Sequence, residues 1–291
     1  MDGVVNVNKP KEMTSFDVVA ILRKTLNTKK IGHTGTLDPD ATGVLPICIG
    51  KATKLVELLT CDKKQYKAEV KLGITTDTQD ISGKVLKQTS SAVSETELKE
   101  ALKSFVGEIE QIPPMYSAVK VDGKKLYELA REGKTVERKP RKIRIYNIEI
   151  LNFDKKNQCF EMLVDCSKGT YIRTLANDIG EKLGCGGIIS NLMRTASGGF
   201  FLENSYSLEK IKELAENNDF SFLTPLPNVM SEYKKLVLAE NNAKRLRYGI
   251  KFSVAGTNLG ECYRIFDENG DFLAIGKCGE ERMEILKTFF G

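Results

Sequence analysis

One irregular segment, residues 32–43, constrains the fold of this chain more than any other. It reads GHTGTLDPDATG, so three glycines and a proline fall within a short stretch. Glycine adopts backbone conformations that other residues avoid, and proline disfavours helical backbone at the residue before it. The segment therefore predicts a loop that lies between regular elements and can approach a ligand closely.

The same loop carries the chain's single histidine, His33, and a carboxylate, Asp38, whose neighbours in sequence are not basic. An Asp-Pro pair in a loop is also the usual sequence of an Asx-turn. Because Asp38 has no basic neighbour in sequence, its carboxylate would need a cation from a distant part of the chain. Residues 168–174, which read KGTYIRT, are a candidate source of that cation.

Composition excludes several classes of protein. The chain has 291 residues, a length typical of about two domains. With one histidine the chain cannot form a site that needs two imidazoles. Its seven cysteines are scattered, and none is in a Cys-x-x-Cys spacing, so they predict neither a zinc cluster nor a disulfide framework. We therefore expect reduced cysteines, no metal and no cofactor. No secretory signal or apolar span is evident, which predicts a cytoplasmic protein.

Basic residues are concentrated in two zones. Lysines and arginines number 44 against 39 acidic residues, a net charge of +5. Residues 115–144 alone hold ten basic and four acidic side chains, and residues 234–251 form a second basic stretch. Each zone could be solvated surface, but two of them in a chain of balanced charge favour a polyanionic partner.

Apolar periodicity and capping residues predict the regular elements. Helices are expected over residues 15–26, 171–183, 208–216 and 241–248, with another after Ser94 and a short one over 126–130. Strands are expected over residues 3–8, 66–72, 143–153 and 159–166, with a hairpin over 263–275 and a turn at 122–123. Residues 225–235 are interpreted as a linker.

Five blocks of the chain, in order, resemble the bacterial tRNA pseudouridine-55 synthases (the TruB family), and the resemblance runs from about residue 3 to residue 195. The blocks are Asn8-Lys9-Pro10, residues 32–46, Tyr66, residues 112–127 and residues 166–173. The resemblance implies an α+β pseudouridine-synthase fold, with a mixed, largely antiparallel sheet flanked by helices and a small C-terminal PUA-like β-barrel. It implies a catalytic domain over residues 1–230, with an RNA-gripping insertion at about 111–142, and an RNA-binding domain over 231–291.

The resemblance also implies the roles of individual residues. Asp38 would be the catalytic carboxylate, acting either as a nucleophile or as a base, with Arg173 as its partner. Tyr66 would stack on the target uracil, His33 would enter the RNA loop when the uridine is extruded, Lys9 would support the catalytic loop and Leu192 would line the pocket. The full set of expected substrate-binding and RNA-binding residues is Lys9, His33, Thr34, Tyr171, Leu192, Lys124, Lys125, Arg141 and Lys142.

The function that the resemblance implies is isomerisation of uridine 55, in the TΨC loop of tRNA, to pseudouridine. Base flipping and an aspartate-dependent rearrangement of the glycosidic bond would achieve it. The enzyme is expected to be a monomer, to bind the T arm and to need neither metal nor membrane. The alternative is a non-catalytic tRNA-binding or RNA-folding protein that retains the cleft.

Overall fold

The computed structural model describes residues 1–60, 63–90 and 92–290. Its helices are α1 Ser15–Thr25, α2 Val56–Thr60, α3 Glu95–Lys103, α4 Leu126–Arg131, α5 Ile172–Lys182, α6 Leu208–Glu216 and α7 Glu240–Arg247. Its strands are β1 Gly3–Lys9, β2 Ile31–His33, β3 Thr42–Ile49, β4 Lys64–Leu72, β5 Ile74–Thr76, β6 Val85–Gln88, β7 Gly107–Gln111, β8 Lys120–Val121, β9 Lys124–Lys125, β10 Arg141–Asp154, β11 Cys159–Cys166, β12 Gly187–Ser197, β13 Phe200–Phe201, β14 Leu223–Pro225, β15 Lys234–Leu238, β16 Cys262–Asp267, β17 Phe272–Cys278 and β18 Met283–Thr288.

A ten-stranded sheet forms the body of the molecule. Its strands follow the order β14-β1-β3-β12-β4-β11-β10-β7, with β2 beside β3 and β13 beside β12. The contact between β3 and β12 is parallel, whereas the other pairs in this sheet are antiparallel. Helices α1, α3, α5 and α6 contribute apolar side chains to its principal core, including Leu22, Leu98, Leu175 and Ile211. The expected mixed, largely antiparallel sheet flanked by helices is confirmed.

The helix starts follow from side-chain capping. Thr14 and Asp17 form a reciprocal capping box at α1, and Ser94 and Glu97 form one at α3. Each box satisfies backbone N–H groups that a helix otherwise leaves unpaired. Helices α1, α5 and α6 agree with the sequence prediction to within a residue at each end, and the predicted turn at residues 122–123 joins β8 to β9.

In the C-terminal part, where a small PUA-like β-barrel is expected, the chain forms a four-stranded sheet in the order β15-β16-β17-β18, in which β15 and β16 are parallel. It does not stand apart from the body. Ile275 and Phe289 pack in one buried cluster with Val4 and Cys48 of the large sheet and with Met230. The exact domain boundary at residue 231 stays a prediction.

The linker prediction for residues 225–235 is wrong. Pro225 ends strand β14, which pairs with β1, and Leu226, Val229 and Met230 are buried. Lys234 then begins β15. Prolines suggested a break, but an edge strand tolerates proline because one side of it donates no ladder hydrogen bonds.

The basic segment between β7 and β10 is an excursion from the sheet. These two strands pair with each other through Arg141 and Gln111, so residues 112–140 leave and return at the same edge. They hold the β8–β9 hairpin and α4. The stretch lies close to the insertion expected at about 111–142.

The described cysteines are free, with Cys48 and Cys166 among the buried ones, where burial raises the pKa of each thiol to about 12. Cys61 lies outside the described residues. In the part of the chain that the structure covers, no helix is long and apolar enough to span a membrane.

Gly43 offers a test of the parallel contact between β3 and β12. Its φ is +98°, and a Cβ atom there would overlap the carbonyl oxygen of Arg194. We expect Gly43→Ala to lower the free energy of unfolding by at least about 2 kcal/mol, measured by urea denaturation. Gly199→Ala is the control, because a Cβ atom there meets nothing within 4 Å. Equal stability of the two variants would contradict this account of Gly43.

Candidate active site

A cleft of about 270 Å³ opens over the middle of the large sheet. Its walls come from the loop after β2, from β4 and β12, from the start of the excursion and from the segment that enters α5. The lining includes Thr34, Asp38, Tyr66, Ser117, Tyr171, Arg173, Leu192 and Arg194. The fold thus brings together the glycine-rich loop and residues 168–174, which lie more than a hundred positions apart in the chain.

Asp38 and Arg173 form an ion pair at the base of this cleft. Arg173 Nε lies 2.9 Å from Asp38 Oδ2, and 43% of the Asp38 side-chain surface remains exposed against 7% for Arg173. Burial raises the pKa of Asp38, because removing water disfavours the charged carboxylate, while Arg173 acts in the opposite direction. The carboxylate is therefore accessible to a ligand and is held by a nearly buried cation.

Each of the three guanidinium nitrogens of Arg173 has a partner in the protein. Its Nη1 donates to the carbonyl of Thr78 at 2.9 Å and lies 3.4 Å from Asp80 Oδ2. Its Nη2 donates to the carbonyl of Tyr116 at 2.8 Å. A guanidinium fixed on three sides has a defined plane, so the Asp38 carboxylate that binds its Nε is oriented as well.

Asp80 was missed by the sequence analysis. Its Oδ1 accepts hydrogen bonds from the hydroxyl groups of Thr78 and Ser82, at 2.7 and 2.6 Å, while Oδ2 faces Arg173. The signal in the sequence is the run TTDTQDISG at residues 75–83, in which short polar side chains flank the aspartate. Such a run is typical of an ordered turn, and nothing local indicates that it faces an arginine about ninety positions away.

Lys9 supports the loop from beneath. It is fully buried, and its ammonium donates to the carbonyls of Pro10, Met13 and Pro39 at 2.8, 2.6 and 3.0 Å. Burial lowers its pKa to about 8. The bond to Pro39 fixes the residue after Asp38, in agreement with the expected supporting position. Because none of its surface is exposed, Lys9 does not form part of the surface that RNA could contact, which corrects its place among the RNA-binding residues.

Tyr66 is half-buried on β4, where it pairs with Arg194 of β12. Burial raises the pKa of its hydroxyl. Arg194 is itself almost fully buried and donates to the carbonyls of Val44 and Gly35, at 2.7 and 3.2 Å. It thus joins β12 to the glycine-rich loop, a role that its position in an apolar strand did not indicate.

The other expected cleft residues occupy different positions. Thr34 and Tyr171 line the cleft, and Leu192 lines it while also belonging to the core. The Thr34 hydroxyl and that of Ser117 are buried without a hydrogen-bond partner among the described residues. His33 lies just outside the lining, and its ring contacts Phe16.

The expected phosphate-contacting residues lie on the excursion and at its base, away from the cleft lining. Lys124 and Arg141 are exposed, Lys125 lies over the ring of Tyr127 at 5.3 Å, and Lys142 forms an exposed ion pair with Glu108 at 3.3 Å.

Among residues 1–60, 63–90 and 92–290 no group of histidine, cysteine and acidic side chains could hold a metal ion. The site is built from carboxylates, cations, hydroxyl groups and one phenol.

Family models match most of the chain. The model described as the N-terminal domain of TruB family pseudouridylate synthase matches residues 23–172, and that of the tRNA pseudouridylate synthase B C-terminal domain matches residues 173–231. Proteins named tRNA pseudouridine synthase B are similar over nearly the whole chain. The one from Clostridium tetani is 46% identical over 99% of both chains, and the one from Bacillus anthracis is 47% identical over 94% of this chain and 92% of its own. A third, from Alkaliphilus oremlandii, is 51% identical over 86% of this chain and 82% of its own.

Solved structures agree on the fold. The crystal structure of a Cbf5-Nop10-Gar1 complex contains a chain that matches with a TM-score of 0.76 and 28% identity, over 99% of this chain and 85% of that one. An H/ACA RNP bound to a substrate RNA that contains 2′-deoxyuridine matches with a TM-score of 0.75 and 26% identity, with the same coverage.

The fold is that of a pseudouridine synthase. The chain belongs to the TruB family of pseudouridylate synthases. It is therefore an isomerase, because pseudouridylate and uridylate have the same atoms joined differently.

Proposed function

We propose that this enzyme converts uridine 55 in the T arm of tRNA to pseudouridine. The observation that carries the proposal is the ion pair of Asp38 and Arg173 at the base of a cleft that Tyr66 also lines. The names of the relatives, tRNA pseudouridine synthase B, support tRNA as the substrate. The choice of the T arm and of position 55 rests on the resemblance described above.

The reaction breaks the bond between N1 and C1′, turns the uracil and joins C5 to C1′, with loss of the C5 proton and gain of one at N1. No atoms enter from outside except exchangeable protons, so the chain's own side chains suffice. Asp38 acts in its ionised form, either adding to the nucleotide or removing a sugar proton. Arg173 holds that carboxylate charged and oriented, and the ring of Tyr66 stacks on the uracil.

The target uridine must leave the RNA loop to reach Asp38. Extruding a nucleotide requires a few kcal/mol of lost stacking, which contacts in the pocket offset. Leu192 and Tyr171, which line the cleft, give the flipped base an apolar wall and an aromatic one.

The excursion between β7 and β10 grips the phosphate backbone in this proposal. Lys124, Lys125, Arg141 and Lys142 supply charge without reading sequence, as phosphate contacts do. We propose that the enzyme acts as a monomer and, with tRNA as its substrate, in the cytoplasm.

The first test is the release of tritium from 5-tritiated uridine in a T-arm stem-loop RNA. Asn keeps the shape of Asp38 but is neither a base nor an anionic nucleophile, so we expect Asp38→Asn to lower the rate at least about a hundredfold. Affinity for the RNA should stay within a few-fold. Asp40→Asn, in the same loop, is the control. Isomerisation by Asp38→Asn near the wild-type rate would transfer the role to another group, and no tritium release by the wild type from this stem-loop would contradict the T arm as the substrate.

The second test uses the pH dependence of the single-turnover rate. Because the pKa of Asp38 is raised by burial, the rate should fall with decreasing pH around a midpoint above the ordinary aspartate pKa. Arg173 opposes that rise, so its removal raises the pKa further. We expect Arg173→Ala to move the midpoint to higher pH and to lower the rate, and Arg173→Lys to restore part of both. An unchanged profile in Arg173→Ala would contradict the proposed role of the pair.

The third test concerns the basic excursion. Replacing Lys124, Lys125, Arg141 and Lys142 with alanine should weaken tRNA binding and reduce the slope of log Kd against log salt by roughly one per lost phosphate contact. The rate on a saturating T-arm stem-loop should be nearly unchanged. The control replaces as many exposed lysines on α3 and α6, namely Lys99, Lys103, Lys210 and Lys212. Equal slopes in the two variants would mean that the excursion is ordinary solvated surface.

A further inference from the structure

Phe16 exposes a large apolar surface beside the catalytic loop. It lies in the first turn of α1, and 67% of it is exposed, whereas Val18, Val19 and Leu22 of the same helix are buried. A single exposed apolar residue is common on protein surfaces and indicates nothing alone. Here, however, the exposed ring has an aromatic partner.

The ring of His33 meets that of Phe16 edge to face. Their centroids are 5.4 Å apart and the planes are inclined by 88°. Burial lowers the pKa of His33, so that its ring is neutral at neutral pH, and its Nδ1 has no hydrogen-bond partner among the described residues. The two rings therefore pack against each other, and we call the pair the aromatic rim (Phe16 and His33).

Hydrogen bonds and chain connections place the aromatic rim beside the cleft. Ser15, next to Phe16, accepts a hydrogen bond from the N–H of Leu37 at 2.9 Å, and its hydroxyl lies 3.3 Å from the Leu37 carbonyl. Leu37 directly precedes Asp38. His33 ends β2 and directly precedes Thr34, which lines the cleft. Both rings are thus anchored to the loop that carries the catalytic carboxylate.

Unpaired RNA bases bind proteins by stacking on aromatic rings, and such stacking is tolerant of sequence because every base has a flat face. An exposed phenyl ring beside the cleft offers such a face. We propose that Phe16, braced by His33, is a stacking platform for an unpaired base of the substrate RNA that neighbours the target uridine. This inference rests on the proposed function, because it assumes that an RNA loop occupies the cleft.

The test compares variants of Phe16 in the full-length enzyme by the Kd for a fluorescein-labelled T-arm stem-loop. Phe16→Ala and Phe16→Leu should each raise the Kd about tenfold, since leucine keeps an apolar side chain but has no flat face. Phe16→Trp should bind at least as tightly as the wild type. The single-turnover rate at saturating enzyme should change by less than about threefold in all of them.

Two controls isolate stacking. Phe201→Ala removes another exposed phenyl ring, 47% exposed and carried by β13 instead of by α1, and should leave the Kd unchanged. A fully paired RNA duplex, which offers no unpaired base, should bind wild-type enzyme and Phe16→Ala equally. The proposal is overturned if Phe16→Leu binds the stem-loop as the wild type does, or if Phe16→Ala weakens binding to duplex and stem-loop alike. Wild-type tritium release, measured on the same RNA, tests the proposed function separately.

Discussion

The buried guanidinium of Arg173 joins three segments that are far apart in the chain. It projects from the first turn of α5 and binds Asp38 in the glycine-rich loop, the Thr78 carbonyl and Asp80 before β6, and the Tyr116 carbonyl at the start of the excursion. A cation this deeply buried is unfavourable unless its N–H groups are satisfied. Its hydrogen bonds are therefore also constraints, and they fix three chain segments around one carboxylate.

Two other buried cations repeat this arrangement on a smaller scale. Lys9 binds backbone carbonyls, including that of Pro39, and Arg194 binds the carbonyls of Val44 and Gly35. The glycine-rich loop is thus held at both of its ends and at its centre by side chains from other elements. A loop rich in glycine would otherwise lose much conformational entropy on folding. Here that loss is offset by charge-assisted hydrogen bonds, which leave Asp38 positioned but accessible.

Local signals in the sequence predicted the parts of the fold that depend on local physics. The capping boxes of α1 and α3 and the periodicity of α5 each lie within one element, and the helices begin where those signals place them. The linker prediction was wrong because prolines at residues 225 and 227 look like a break, whereas the pairing of β14 with β1 is a long-range contact. The pair of Asp38 and Arg173 was predicted because the family resemblance supplied the long-range information. Asp80 and Arg194 were missed because nothing in their local sequence indicates their distant partners. Only the folded structure shows that Asp80 faces Arg173 and that Arg194 binds the carbonyls of Val44 and Gly35.

Both outer strands of the large sheet have features that limit pairing with another chain. On one side, Pro225 of β14 has no N–H to donate, and that strand has only the three residues Leu223–Pro225. On the other side, β7 carries two exposed acidic side chains, Glu108 and Glu110, on an otherwise half-buried strand. Short edges, prolines and exposed charges are the means by which natural sheets avoid growing from one molecule into the next. The same proline that looked like a domain break in the sequence thus helps to keep a ten-stranded sheet from becoming a template for aggregation.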